Sequence, residues 1–413
     1  MIMVRALPIV LLSLTCVLPL GAAENIEKLA RKCQSGNQQA CARLADIAKG
    51  GRDPRVRQAA LEKLTDQAAL AHIAKTDGNP EVRRTAFMRL LAGRVCGAPV
   101  GGMAAWRQSE KVYISSHLFF ARDVPPEIEA RIQKEILGVL ESALRALGLT
   151  PVAGDHAESV IEIEAFGEAE SARYSLSGIG GSRLYTGANW QGAIRLAHDE
   201  CVYLRTVAYD REPPARVGLH PGESGPTGAS EAPFGDAMRD MLVPAVAELA
   251  ENLGGAADLN RLAKGSNAEV GLAAVRRLAD QALLADIAKT ASDWRVRGDA
   301  VDKVTDQAAL ADIAKTDPAP NVRRIAVNKL TDQAVLAHIA KSDRYGEVRQ
   351  AGVWRLTDQA LLADIAKSDS QPFVLLAAVE KLTDQALLAD IAKTGTDETV
   401  RAAAKRRLAE LAR

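Results

Sequence analysis

The sequence has few aromatic residues, no excess of either charge, and only one long apolar run, which lies at its start. Phe, Trp and Tyr make up 4% of the 413 residues, and 52 basic side chains balance 52 acidic ones. Because the chain has no net positive charge, nothing indicates a polyanionic partner, and nucleic acid is not expected. The length allows two or three domains, each with a hydrophobic core of its own.

The apolar run lies within residues 1–23, which have the order of a secretory signal. Arg5 precedes it, and small residues from Gly21 to Ala23 stand before Glu24. The run is short for a bilayer span, although an uncleaved anchor remains the alternative. We therefore expect cleavage and a periplasmic or secreted protein without an integral membrane segment.

Cysteine spacings typical of zinc sites are absent. Outside the signal the cysteines are Cys33, Cys41, Cys96 and Cys201. An even number in an exported protein favours disulfides over a metal site. Cys33 and Cys41 flank a turn between two short helical patterns, which predicts a bridge between them, and residues 30–50 resemble a Sel1-like cysteine hairpin with this spacing. Cys96 and Cys201 form either a second bridge or two unpaired buried thiols.

One twelve-residue segment recurs along the chain. "LTDQALLADIAK" stands at 356–367 and again at 382–393, with variants at 64–75, 278–289, 304–315 and 330–341. From Lys289 to Lys393 successive copies are 26 residues apart. Such a fixed period is typical of repeat architectures.

Each period predicts two short helices. In the first, apolar residues such as Leu387 and Ile391 recur at helical spacing, and Thr383 is the expected N-cap. The second begins near Pro320 and carries an apolar face that includes Val322. Neither helix is long enough to bury its apolar face alone, so we expect stacked pairs that share one core.

The period, the Pro-x-Val-Arg-like start of the second helix, and an Asp six residues before that Arg resemble short bacterial HEAT repeats. The resemblance covers residues 36–94 and about 254–413. It implies an α-solenoid and a ladder of polar contacts between neighbouring repeats. The residues that carry it are Asp77 with Arg83, Asp317 with Arg323, and Asp343 with Arg349. The pattern breaks at Gly51, Ala291, Leu375 and Gly395, which puts the ladder in doubt there.

Between the two repeat regions, 24–94 and 254–413, the composition changes. Residues 95–253 contain, in order, a strand at 111–116, a helix at 126–148, a strand at 159–166, two strands near 184–197 and 201–209, and a helix at 234–252 with a possible kink at Pro244. This order predicts a small α+β domain with helices on an antiparallel sheet. The fold class is therefore mainly α: a solenoid of HEAT-like helix pairs interrupted by a small α+β domain.

Signatures of catalysis and of cofactor binding are absent. The six histidines have no metal-ligand spacing, and no Gly-x-Ser-x-Gly elbow exists. Glu162 and Glu164 share a strand face, which alternation explains. His72 and His338 stand where other repeats have Asp. The sequence thus favours a non-enzymatic scaffold with a protein partner in the cell envelope. The alternative is a ligand-binding or catalytic α+β domain framed by the repeats.

Departures from the repeat indicate where a partner binds. Trp354 and Phe373 occupy positions that are mostly polar in other repeats, as does Leu376, and Leu375 replaces the repeat arginine. Second helices of adjacent repeats pack about 8–10 Å apart, so these side chains are expected to form one exposed apolar patch. We predict a protein-binding surface of Trp354, Phe373, Leu375 and Leu376. The alternative is that this surface packs against another part of the same molecule.

Overall fold

The structure is a computed structural model that describes residues 22–93, 106, 108, 111–121, 124–153, 159–175, 182–198, 200–211, 232–395 and 397–412. These residues form 18 helices and five strands. The predicted fold class is confirmed: a helical solenoid is interrupted by a small α+β domain. The chain divides into two compact units, one of residues up to Ile136 with Val152–Met241, the other of Leu137–Pro151 with Leu242–Arg413.

The first unit begins with five helices. They are α1 (Ala22–Gln34), α2 (Gln38–Gly50), α3 (Pro54–Lys63), α4 (Gln67–Thr76) and α5 (Pro80–Ala92). A disulfide joins Cys33 of α1 to Cys41 of α2, as the sequence predicted. Cys96 and nearly all of the predicted signal, residues 1–23, lie outside the described residues, so the second bridge and the signal stay predictions.

A five-stranded sheet follows these helices. The strands and the helices among them are, in chain order, β1 (Lys111–Phe120), α6 (Pro126–Ala146), β2 (Thr150–Val152), β3 (Ser159–Ser175), β4 (Ser182–His198), β5 (Glu200–Arg211) and α7 (Ala232–Ala263). The strand order in the sheet is β2-β1-β3-β4-β5. The prediction of an antiparallel sheet was wrong for the pairing of β1 with β3. Strands β1 and β3 are parallel, with Val112 opposite Ser159, because the helical crossover α6 returns the chain in the same direction.

The long helix α7 contains a break, although not at the predicted residue. The helix continues through Pro244. Gly255 instead has φ 61° and ψ −143°, a conformation that residues with a Cβ rarely adopt. The backbone of Gly255, rather than the proline ring, therefore sets the break.

The second unit contains the regular repeats. Their helices are α8 (Ala268–Arg277), α9 (Gln281–Thr290), α10 (Trp294–Lys303), α11 (Gln307–Thr316), α12 (Pro320–Lys329), α13 (Gln333–Ser342), α14 (Gly346–Arg355), α15 (Gln359–Ser368), α16 (Pro372–Lys381), α17 (Gln385–Thr394) and α18 (Glu398–Leu411). The leucines and isoleucines equivalent to Leu388 and Ile391 are at most 2% exposed in every repeat of this unit. Full burial of one such side chain stabilises the fold by about 1.5–3 kcal/mol, which explains why leucine and isoleucine recur at these positions of the repeat.

The polar residues of the recurring segment have structural partners. Asp384, not Thr383, caps its helix, since its carboxylate accepts a hydrogen bond from the Leu387 N–H. Thr383 instead donates through its backbone N–H and its hydroxyl to Oε1 of Gln359 in the preceding repeat. The same contact joins Thr305 to Gln281, Thr331 to Gln307, and Thr357 to Gln333. The Thr-Asp-Gln signature thus caps each helix and ties neighbouring repeats together.

Membrane-spanning helices were sought among the described residues. None of the helices formed there is both long and apolar enough to cross a bilayer.

Candidate functional site

Two aromatic side chains of the repeats are exposed at positions where the other repeats carry polar or charged residues. Trp354 on α14 is 44% exposed, and Phe373 on α16 is 37% exposed. At the same positions of the adjacent second helices stand Glu380 and Glu347, both exposed. Exposed apolar area at positions that are polar in the other repeats is not required by the repeat itself, so these two side chains need another explanation.

Trp354 and Phe373 lie at opposite ends of their helices. The Phe373 ring covers the start of α14, since a Cβ at Gly346 would lie 2.6 Å from its Cζ atom. At the other end, Lys381 of α16 donates to the Trp354 carbonyl oxygen at 3.0 Å. Trp354 follows Gly346 by eight residues, which corresponds to about 12 Å along the helix.

Leu376, which is half-buried, stands between these two levels, one turn after Phe373 on α16. The structure therefore does not bring Trp354 and Phe373 together in the single compact patch that the sequence predicted. It arranges Phe373, Leu376 and Trp354 as a row along two parallel helices.

Leu375 does not belong to this surface, and its prediction as a surface residue was wrong. It is 6% exposed. Its position in the repeat points inward, because the arginines that occupy it elsewhere, Arg297, Arg323 and Arg349, are also buried. Replacement of that arginine by leucine fills an interior site and presents nothing to a partner.

Two further exposed aromatics were missed from the sequence. Trp294 begins α10 and is 45% exposed, and Tyr345 precedes α14 and is 39% exposed. The Tyr345 ring lies 5.4 Å from the guanidinium carbon of Arg323 and 5.0 Å from that of Arg344, as in cation–π contacts. The signal was present, since neighbouring repeats have Pro320 and Ala319 at these positions.

Tyr345 immediately precedes Gly346, on which the Phe373 ring rests, so the two rings share one edge of the array. We name the set Tyr345, Trp354, Phe373 and Leu376 the aromatic row. Its rings are presented by helices whose starts and ends are held by hydrogen bonds to neighbouring repeats, such as that from Gln350 to the Phe373 carbonyl oxygen at 3.3 Å.

The arginines and aspartates implied by the resemblance do form a ladder. Arg323 donates from Nε to Oδ2 of Asp343 at 2.7 Å and from a terminal nitrogen to Oδ1 at 2.8 Å. The same bidentate pair, always 20 residues apart, joins Arg57 to Asp77, Arg297 to Asp317, and Arg349 to Asp369. The arginine six residues after each Asp contacts its backbone carbonyl oxygen instead, as Arg83, Arg323 and Arg349 show.

The electrostatics of the ladder are those of a structural site. Burial acts to raise the pKa of Asp343, but hydrogen bonds from Arg323 and the Tyr345 N–H outweigh it, and the pKa lies below its usual value. The hydrogen bond to Asp343 raises the pKa of Arg323. Both partners are therefore charged at neutral pH, and neither is poised to exchange a proton.

In the second unit the ladder loses both members where it stops. Leu375 and Gly395 are 20 residues apart and take the places of Arg and Asp, as do Gly271 and Ala291. At Gly51 and Ala291 the repeat lacks its own aspartate, but it keeps an arginine that takes part in the ladder. The arginines of those repeats, Arg57 and Arg297, pair with the Asp of the following repeat.

A polar cluster lies on one face of the sheet. The Glu162 carboxylate accepts from Arg195 at 2.7 Å and lies 3.2 Å from Nε2 of His117. The hydroxyl of Ser115 approaches the same ring nitrogen at 3.3 Å. In a Ser-His-acid relay the serine and the acid contact different ring nitrogens, whereas Ser115 and Glu162 both approach Nε2 of His117. Within the described part of the chain, no group of three or more His, Cys, Asp or Glu is arranged to hold a metal ion.

Comparison with known proteins leaves the chain without a family. No family profile matches it, and no curated protein matches it. Among solved structures, a neuraminyllactose-binding hemagglutinin homolog from Helicobacter pylori matches 35% of this chain and 88% of its own, with 12% identity and a TM-score of 0.28. An engineered protein matches 94% of this chain and 68% of its own, with 16% identity and a TM-score of 0.14. Both TM-scores are too low to support any conclusion about function.

Proposed function

We propose that this protein is an exported, non-enzymatic interaction scaffold of HEAT-like repeats, and that the aromatic row binds a protein partner in the cell envelope. The observation that carries the proposal is the exposure of Trp354 (44%) and Phe373 (37%) at positions where the other repeats have polar or charged residues. Large aromatic side chains dominate the binding energy of many protein interfaces.

The energetics favour a binding role over a packing role within the repeats. The core of each repeat consists of buried leucines, isoleucines, valines and alanines, and Trp354 and Phe373 are not among them. Removal of either exposed ring from water by a partner would contribute about 1.5–3 kcal/mol. Two rings about 12 Å apart along the helix direction suit an elongated partner segment better than a single inserted side chain.

The proposed location rests on two features. A disulfide joins Cys33 to Cys41. In most proteins, disulfides persist only in an oxidising compartment. The apolar residues at the start of the chain have the order of a secretory signal. Both support a periplasmic or secreted protein, in which a repeat array has envelope proteins as available partners.

Crosslinking and affinity capture from the native cell envelope test the proposal. Trp354→Glu and Phe373→Glu restore the charged residue of the neighbouring repeat, so each should reduce capture of the partner while the fold remains intact. Glu380→Ala and Glu347→Ala, at the equivalent positions of the adjacent helices, are matched controls and should leave capture unchanged. A large loss of thermal stability in the Trp354 and Phe373 variants would instead mean that the row packs inside the molecule.

A further inference from the structure

A second feature of the first unit is a polar hollow at the ends of α2 and α4. Its volume is about 370 Å³, and Lys49, Arg52, Arg57 and His72 line it together with Asp77 and three glycines, Gly50, Gly51 and Gly78. None of these residues belongs to the aromatic row. The hollow therefore needs an account that is independent of the proposed scaffold function.

The second unit contains the same arrangement 292 residues later along the chain. Lys341, Arg344 and Arg349 match the three cations of the hollow, and three carboxylates accompany them, those of Asp343, Asp364 and Asp369. Lys341 pairs with Asp364 at 2.7 Å, and Arg349 pairs with Asp369 at 2.7 Å. Asp343 pairs with Arg323. Each of the three carboxylates at this comparison site is thus paired with a cation.

The hollow keeps the cations and loses two of the carboxylates. Gly51 stands at the position of Asp343, and His72 stands at the position of Asp364. Only Asp77 remains as a carboxylate, so three cations and one anion leave a formal charge of +2 with His72 neutral. Such a local excess of positive charge attracts anions.

The excess charge resides on Lys49 and Arg52. Arg57 is occupied, because Nε and one terminal nitrogen bind the Asp77 carboxylate and the other terminal nitrogen donates to the Gly51 carbonyl oxygen at 2.7 Å. Lys49 and Arg52 are exposed, and no carboxylate among the described residues forms an ion pair with either.

The glycines make the space. Gly50 and Gly78 stand where the second unit has Ser342 and Ser370. A Cβ atom at either glycine would meet no other atom within 4 Å, so the volume above both is open. A phosphate or carboxylate group fits into the hollow of about 370 Å³ beside the two free cations.

We infer that this hollow binds the oxyanion group, phosphate or carboxylate, of a small solute. The Arg52 guanidinium offers a planar fork of N–H donors that matches two oxygens of such a group. Lys49 supplies a second charge from α2, and the imidazole of His72 supplies an N–H donor from α4. Replacement of the repeat aspartate by His72 therefore converts a surface ion pair, like that of Lys341 with Asp364, into an anion site.

Calorimetric titration of the full chain with inorganic phosphate and, separately, with citrate at low ionic strength tests the inference. Binding of at least one solute is expected, and it should weaken as salt is added. His72→Asp restores the carboxylate opposite Lys49 and should weaken binding about tenfold, which corresponds to about 1.4 kcal/mol. Lys49→Ala combined with Arg52→Ala should abolish it. Lys341→Ala with Arg344→Ala, at the comparison site, should leave it unchanged.

The outcomes are distinguishable. Failure of both solutes to bind would overturn the inference, as would equal binding by the wild type and His72→Asp. Thermal melting checks the fold of each variant, and His72→Asp should melt no lower than the wild type because it adds the ion pair found between Lys341 and Asp364. If one variant fails to fold, Arg52→Ala alone, at an exposed loop residue, gives the same test.

Discussion

The Nε atom of Arg323 lies 2.7 Å from Oδ2 of Asp343, which belongs to the next repeat. The guanidinium also donates to the carbonyl oxygen of Asp317 in its own repeat. One arginine thus holds the turns of two successive repeats at a fixed separation, and both charged side chains are at least 90% buried. The regular stacking that presents the aromatic row depends on such pairs.

Removal of Arg323 should be strongly destabilising. Arg323→Ala leaves the buried Asp343 carboxylate without its cation, and the loss of one partner of a buried pair costs about 3–5 kcal/mol. The midpoint of guanidinium chloride unfolding should fall accordingly. Arg324→Ala, on the exposed side of the same helix, is the matched control and should shift the midpoint little. Equal shifts for the two variants would mean that the ladder does not stabilise the array.

The ladder should also make stability depend on pH in the acid range. The pKa of Asp343 is lowered in the folded state, because the hydrogen bonds from Arg323 and Tyr345 N–H exceed the opposing effect of burial. A carboxyl with a depressed folded pKa contributes stability that is present above its unfolded pKa of about 3.9 and is lost as pH falls through the folded value. The stability difference between the wild type and Asp343→Asn should therefore be constant near neutrality and shrink below about pH 4. Thermal melting across this range measures it, and a difference that grows in acid would contradict the assignment.

The Arg–Asp pair that is missing at Leu375 and Gly395 should form only when both residues are changed together. Leu375→Arg alone buries a cation without a partner, and Gly395→Asp alone adds a carboxylate without its arginine, so each should lower the melting temperature. The double variant should recover much of the loss, with a coupling of about 1–3 kcal/mol. Additive effects of the two changes would show that the ion pair does not form in the double variant.

The disulfide should stabilise the first two helices. Replacement of Cys33 and Cys41 together by alanine removes a bridge that closes a loop of a few residues, which costs about 2–3 kcal/mol in the loop-entropy account. Differential scanning calorimetry with and without reductant measures it. Reductant should lower the melting temperature of the wild type but not that of the double variant.

The sequence predicted the parts of this fold that local patterns determine. Apolar spacing and the 26-residue period located the helix pairs, and the turn between Cys33 and Cys41 located the disulfide. The resemblance predicted the ladder but not which arginine binds each carboxylate. The carboxylate of Asp343 accepts from Arg323, 20 residues earlier, whereas its carbonyl oxygen accepts from Arg349. The sequence does not show this difference. The parallel pairing of β1 with β3 likewise depends on the path of the crossover.

The candidate surface was predicted only in part for a related reason. Trp354 and Phe373 were identified because they depart from the repeat, and both are exposed. Leu375 was wrongly placed at the surface because it replaces a charged residue, and charged residues are usually exposed. The arginine position of this repeat is buried. The separation of Trp354 from Phe373 follows from the parallel direction of α14 and α16, which no single repeat reveals.

The most direct test of the scaffold proposal is the affinity of the purified captured partner for four variants of this protein. Trp354→Glu and Phe373→Glu should each weaken binding about tenfold or more, as expected for aromatic residues at the centre of an interface, without a lower melting temperature. Glu380→Ala and Glu347→Ala should bind as the wild type does. Unchanged affinity in both aromatic variants would contradict the proposal that the aromatic row is the binding surface.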